Sequence, residues 1–200
     1  AAHPSAGVST IKELVDMAKA KPNGYAYASS GSGASPHLAM EMFETAVGVR
    51  LVHIPFKGQG PAVVALLGGQ MPFGVMDATV LSQIQSGKLK ALAVTSPTRW
   101  PQLPNSPTIA EFGVPGYEIT NWSSILAPAG TPREIVGQIN ATIQNALKAL
   151  EVRQRLNAQG FETSPSTPEE LEAFLASEVR KYAKVITDAG GDSIRQMIAV

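Results

Sequence analysis

Between Tyr25 and Leu38 the chain reads as a strand, a loop of small residues and the start of a helix. Tyr25, Ala26, Tyr27 and Ala28 suit a strand covered on both faces. Ser29 to Ala34 carry almost no side-chain bulk, so another molecule can approach their backbone N–H groups. Ser35 is read as an N-cap with Pro36 at the first helical position. Leu38, Ala39, Met42 and Phe43 then form an apolar helical face. The rest of the chain is organised around this stretch.

This helix start differs from others in the chain. Thr131-Pro-Arg-Glu134 and Thr167-Pro-Glu-Glu170 read as capping boxes, each with a glutamate to close its own N-terminus. The helix after Ser35 has His37 in its first turn and no carboxylate before Glu41. Its N–H groups and positive dipole end are available to an external anion.

The pattern repeats downstream. Leu51 to Phe56 reads as a second strand, with a short helix from Pro61 to Leu67. Phe73 to Met76 is a third strand ending at Asp77, followed by a helix from Thr79 to Gln85. Leu89 to Thr95 is a fourth strand. Strand and helix alternate with short links, the pattern of a parallel α/β sheet. Upstream, Thr10 opens a helix carrying Ile11, Leu14, Val15 and Ala18, which Pro22-Asn-Gly24 stops. Prolines at 97, 101, 104, 107 and 115 mark a surface run with a short helix near Ile109 to Phe112. Tyr117 to Leu126 is extended. Helical patterns follow near 132–148, 151–158 and 168–188, with an extended piece at Phe161 to Thr163. Ile135, Ile139, Ile143 and Leu147 form one apolar stripe, and Leu171, Phe174, Leu175, Val179 and Tyr182 another.

Composition excludes several functions. Sixteen basic and 16 acidic residues give a net charge of zero without a basic run, which argues against a nucleic-acid partner. No cysteine is present, which removes disulfides and thiol chemistry. His3, His37 and His53 lack metal-ligand spacing. Gly58-Gln-Gly60 lacks the third glycine of a dinucleotide fingerprint, and Gly31-Ser-Gly33 is not a nucleophile elbow. No catalytic set, metal site or cofactor is expected. His53 reads as a packed or surface residue of a strand. His37 either contacts ligand or packs under the loop. Asp77 either faces a ligand at the carboxyl end of its strand or caps the helix at Thr79. Lys57 reads as solvated, and Trp122 as core or cleft wall.

In order along the chain, several segments resemble the Bug-type periplasmic receptors of tripartite tricarboxylate transporters. They are Tyr27-Ala-Ser-Ser-Gly-Ser-Gly-Ala-Ser-Pro-His-Leu38, Val52-His-Ile-Pro-Phe-Lys-Gly-Gln-Gly-Pro-Ala62, Leu67-Gly-Gly-Gln-Met71, Gly87 to Ser96, Leu103-Pro-Asn-Ser-Pro-Thr108, Gly113-Val-Pro-Gly-Tyr-Glu118, Trp122 and Leu126-Ala-Pro-Ala-Gly-Thr-Pro132. The resemblance implies an α/β fold of the periplasmic-binding-protein (Venus flytrap) type. Residues 1–120 would form one complete parallel-sheet lobe that binds ligand. Residues 121–200 would be the interdomain strand and the C-terminal helical part of the other lobe.

The resemblance also implies a function: capture of a small organic anion, a carboxylate or amino acid, in the periplasm for delivery to membrane transport subunits. Its ligand-binding set maps to Ser29, Ser30, Gly31, Ser32, Gly33, Ala34, Ser35, His37, Asp77 and Trp122. Family members carry a further N-terminal portion with a second anion loop. The resemblance therefore implies a partner for the exposed stripes, either that portion or a second copy of the chain. Asp192 to Val200 extends past the usual end of the family. Two other readings are an α/β enzyme on a small acid or ester, with Ser30 or Ser32 as nucleophile and His37 as base, and a non-binding interaction module.

Overall fold

The computed structural model describes residues 1–188, and the expected C-terminal extension lies outside the described residues. The chain forms two compact units. Unit 1 holds residues 1–121 together with the stretch from Lys184, and unit 2 holds residues 122–183.

Unit 1 is organised around one short strand. Its elements are α1 (Ile11–Ala20), β1 (Ala26–Ser29), α2 (Ser35–Val47), β2 (Val52–Pro55), α3 (Gln59–Leu67), β3 (Phe73–Gly74) and α4 (Leu81–Gln85). The sheet order is β2-β1-β3, all parallel. Register pairs Tyr27 with His53 on one side and with Phe73 on the other.

Alternation along β1 separates two cores. Tyr27 packs with Ile11, Leu14, Phe43, Phe73 and Tyr117, whereas Ala28 packs with Ala62, Ala65, Leu66 and Leu89. Neighbouring side chains of a strand point to opposite faces, so β1 is covered on both sides. Each fully buried Leu or Phe contributes about 1.5–3 kcal/mol, and these two layers hold the sheet. The buried Tyr117 hydroxyl donates to Ala39 O at 2.7 Å, which ties the far end of the unit to the middle of α2.

The expected fourth strand does not form. Residues 89–95 make only isolated bridges, antiparallel from Lys90 to Ala2 and parallel from Val94 to Thr108. Ala2 also bridges Phe73 antiparallel, taking the place beside β3 that a fourth parallel strand would need. The helix expected at Ile109 to Phe112 is a series of turns instead. Thr108 and Glu111 exchange N–H bonds with each other's side chains there and close the turn locally.

Unit 2 contains α5 (Arg133–Lys148), α6 (Leu150–Ala158) and α7 (Pro168–Asp188) as far as Ala183. The capping boxes at Thr10 and Thr167 both form. The one expected at Thr131 does not, because Pro132 takes the N-cap place and the Thr131 hydroxyl donates to Pro128 O. The expected extended pieces at 117–126 and 161–163 carry no strand pairing. No residue of α5 or α6 is buried. No helix of the described residues is long and apolar enough to cross a membrane.

Candidate functional site

The site grows from the carboxyl ends of β1 and β2. After Ser29 the chain turns through Gly31 at φ +146° and Gly33 at φ +74°, values that side chains disfavour. The helix starts at Ser35 itself, one residue earlier than the sequence suggests, with Ala34 at the N-cap and Pro36 inside the first turn. The reason is that His37 and Leu38 N–H both donate to Ala34 O, at 2.9 and 3.1 Å. Ala34 has no side-chain acceptor, so nothing caps α2 and no acid stands in its first turn.

A second helix start lies beside the first. Gly58, at φ +100°, is the N-cap of α3, again without a side-chain cap or an acid in the first turn. Phe56 N–H donates to Ser29 O and Gly58 N–H to Ser30 O, both at 3.0 Å, lacing the two loops together. Two unneutralised dipole ends therefore stand at the ends of adjacent parallel strands. The third strand ends differently. Asp77 accepts from Thr79 N–H at 3.0 Å and from the Thr79 hydroxyl, so its carboxylate caps the short helix at Ala78–Val80.

Ser30 to Pro36 are all half-buried. Among the described residues, the N–H groups of Ser32 and Ser35 and the hydroxyls of Ser30, Ser32 and Ser35 have no hydrogen-bond partner. The other two polar side chains of the expected set lie beneath the loop. Ser29 has no exposed surface; its Oγ accepts from Gly31 N–H at 3.2 Å and lies 2.6 Å from His53 Nε2. His37 is buried; its Nδ1 accepts from Gly33 N–H at 3.0 Å and its Nε2 faces Glu41 at 3.4 Å. The two imidazoles stack 3.9 Å apart and 9° from parallel, and Tyr27 lies against the other face of His53 at 5.0 Å.

Charge beneath the loop is tuned by burial. Burial, and then the neighbouring His37, push the pKa of His53 down to about 4. The bond from His37 holds the Glu41 carboxyl below its usual range. Burial pushes Glu44 up to about 7, only partly offset by an N–H from Leu51 and by Arg50 at 3.8 Å. Tyr27 OH and Glu44 Oε1 are buried without a partner among the described residues.

Trp122 belongs to unit 2. Its indole N–H donates to the buried Glu178 at 2.9 Å, and its ring meets Phe174 edge-on at 5.2 Å. The sequence did not single out His53 or the α3 start at Gly58. Both carry a signal: His53 faces Tyr27 in the parallel register, and Gly58 to Ala62 contain no acid. Among the described residues no group of three His, Asp or Glu could hold a metal ion.

A parallel sheet with open helix starts at its carboxyl edge is the arrangement in which open α/β proteins bind ligands, and comparison with known proteins narrows the class to the periplasmic binding proteins. The structure superposes on the periplasmic binding protein BugD with a TM-score of 0.85 at 36% identity, covering 94% of this chain and 64% of that one. It superposes on an R. palustris protein solved with adipate with a TM-score of 0.88 at 33% identity, again over 94% and 64%. A third match, MatC of Rhodopseudomonas palustris with bound malate, has a TM-score of 0.79 at 27% identity, over 92% and 64%.

Sequence relatives include BugT of Bordetella pertussis, 35% identical over 94% of this chain and 58% of its own length. A Pseudomonas sp. (strain P51) protein from the tcbD-tcbE intergenic region is 38% identical over 89% and 54%. The family model for the tripartite tricarboxylate transporter family receptor matches residues 1–190, and the chain belongs to that family. It spans a little over half the length of these two relatives.

Proposed function

We propose that this chain captures a small organic carboxylate, in the periplasm, for the membrane subunits of a tripartite tricarboxylate-type transporter. Residues 1–120 are the ligand-binding lobe in this reading, and residues 121–200 belong to the other lobe of a two-lobed clamp. The observation that carries it is the pair of uncapped helix starts, α2 and α3, at the ends of adjacent strands. The carboxylate sits against the Ser32 and Ser35 N–H groups and the Ser30, Ser32 and Ser35 hydroxyls. Gly31, Gly33 and Ala34 form the backbone of the cradle, Ser29 and His37 support it from below, and Asp77 in unit 1 and Trp122 in unit 2 complete the proposed ligand-binding set. Relatives of the same fold solved with adipate and malate support a dicarboxylate as ligand.

The enzyme reading finds no such support. Neither Ser30 nor Ser32 bonds His37, whose Nδ1 is taken by Gly33. The Ser–His contact at the loop is Ser29 to His53, and that hydroxyl is sealed from solvent.

A thermal-shift screen of dicarboxylates, amino acids and aromatic acids tests the reading, since a ligand of the folded state raises the melting temperature. Ser30→Ala or Ser35→Ala then weakens binding of the hit by about 0.5–1.5 kcal/mol, the net worth of one hydrogen bond, read by calorimetry. Unchanged affinity in both variants removes these serines from the site.

A further inference from the structure

The loop from Ser30 to Ala34 does not owe its shape to its own residues alone. Gly31 and Gly33 hold backbone angles that are open to glycine but not preferred in a free chain. What fixes them is contact from beneath. Gly31 N–H donates to Ser29 Oγ, and that hydroxyl is held by His53 Nε2 at 2.6 Å. Gly33 N–H donates directly to His37 Nδ1 at 3.0 Å. The two rings stand face to face at 3.9 Å, and Tyr27 backs the outer face of His53. Ser29 and Tyr27 have no exposed surface, and His37 is 5% exposed. Two inward N–H groups are thus anchored to a stack of aromatic rings. Ala34 N–H donates to Gly31 O, and the N–H groups of Ser32 and Ser35 have no partner among the described residues.

We propose that the stacked His37–His53 pair is a positioning device. It holds the serine–glycine loop from below in the form that presents Ser32 and Ser35 N–H to an anion, and neither ring touches the ligand. This rests on the carboxylate-binding reading of the same loop and assigns it a supporting pair of residues.

The chemistry of imidazole suits the task. Nδ1 of His37 accepts a bond only while it carries no proton, and its Nε2 then donates toward Glu41. Two parallel rings at this separation cannot both be cations without strong repulsion. The other titratable or charged groups packed around the pair are Tyr27 on β1, Glu41 and Glu44 on α2, and Arg50 on the turn before β2. Arg50 lies 4.0 Å from Glu41 and 3.8 Å from Glu44. Replacement of either ring by an apolar side chain of similar size keeps the packing and removes the acceptor.

The test compares four variants of the full 200-residue chain. His37→Leu and His53→Leu remove the anchoring nitrogen. His37→Asn keeps an acceptor near the place of Nδ1, and His53→Gln keeps a polar atom near the place of Nε2. Binding of adipate, malate and succinate is measured by calorimetry, and exchange of the Gly31 and Gly33 amides by nuclear magnetic resonance without ligand. The leucine variants should bind at least tenfold more weakly and exchange Gly33 (at residue 37) or Gly31 (at residue 53) faster. The asparagine and glutamine variants should recover most of the affinity.

Leucine variants that bind as the wild type does overturn the inference alone. Equal losses in the leucine and the amide variants also overturn it, because they mean that the rings only fill space. A wild-type chain that binds none of the three acids overturns both the inference and the reading beneath it. If a leucine variant does not fold, wild-type resonances decide: a scalar coupling across the Gly33 N–H to His37 Nδ1 hydrogen bond must be seen, and its absence overturns the inference.

Discussion

Units 1 and 2 solve the problem of burying apolar surface in opposite ways. In unit 1 the short strand β1 is sandwiched between two layers, and Tyr27, Ala28, Leu66 and Phe73 are almost wholly removed from water. In unit 2 the helices are equally regular, but no residue of α5 or α6 is fully buried and Ile143 and Leu147 are only half-buried. Ile135 and Ile139, on the stripe legible in the sequence, stay more than 40% exposed. The residue of unit 2 that is buried is charged: Glu178, which accepts from Trp122 and pairs with Lys181. Helix regularity is therefore no measure of packing. A periodic stripe states that a face is to be covered, and only the tertiary structure states by what.

The largest test of this contrast is a pair of truncations. Leu66→Ala should cost about 2–5 kcal/mol in chemical denaturation, since Leu66 is fully enclosed. Ile139→Ala, half in water already, should cost less than about 1 kcal/mol. Equal costs would mean that the stripe of α5 is covered in solution, and the contrast would fall.

A smaller effect comes from the two titrating groups inside unit 1. Glu44 keeps its proton up to about pH 7 when folded, against an ordinary value of 4.5. Between those values the unfolded chain gives up a proton that the folded chain retains, so stability falls as pH rises. His53 sheds its proton near pH 4 when folded, against 6.5. Between those values the unfolded chain holds the extra proton, so stability rises with pH. The two slopes oppose each other across roughly pH 4.5 to 6.5, which flattens the wild-type profile. Glu44→Gln should leave a rise with pH, and His53→Gln a fall. Each amounts to about 1–3 kcal/mol, below the full value of the shift because water reaches part of the site. Denaturation midpoints between pH 4 and 8 read both slopes. A variant profile parallel to the wild type would remove that residue from the balance.

The smallest effect separates a cap that forms from one that does not. Thr10→Ala should cost about 0.5–2 kcal/mol, because its hydroxyl accepts from Glu13 N–H. Thr131→Ala should cost only a few tenths of that, since its hydroxyl serves a turn and not α5. Denaturation of the two variants side by side checks the difference.

These comparisons also mark what could be read beforehand. The β1–loop–α2 stretch was legible because its signals are local: aromatic and small residues, then glycines, then a helix with no acid in its first turn. The helices of unit 2 were legible for the same reason. The fourth strand was misjudged because pairing is not local. Ala2 competes for the edge beside Phe73, and Lys90 and Val94 find partners in different parts of the chain. The Thr131 box fails because its hydroxyl is engaged by Pro128 O, whereas Thr167, also followed by a proline, keeps its box. The reading of His53 as a packed residue holds, but its partners are not legible, because they depend on register with Tyr27 and on a ring from the preceding helix.

Tyr117 carries one more consequence. Its buried hydroxyl is fastened to Ala39 in the middle of α2, and two residues later Ile119 N–H is fastened to Thr95 O at 2.9 Å. The way out of unit 1 is thus moored at two points, one of them on α2, the helix whose first turn belongs to the proposed carboxylate cradle. A pivot placed before Ile119 would have to tear a buried side chain from its berth. Loss of the Tyr117 hydroxyl would therefore loosen the exit of unit 1 and the middle of α2 together.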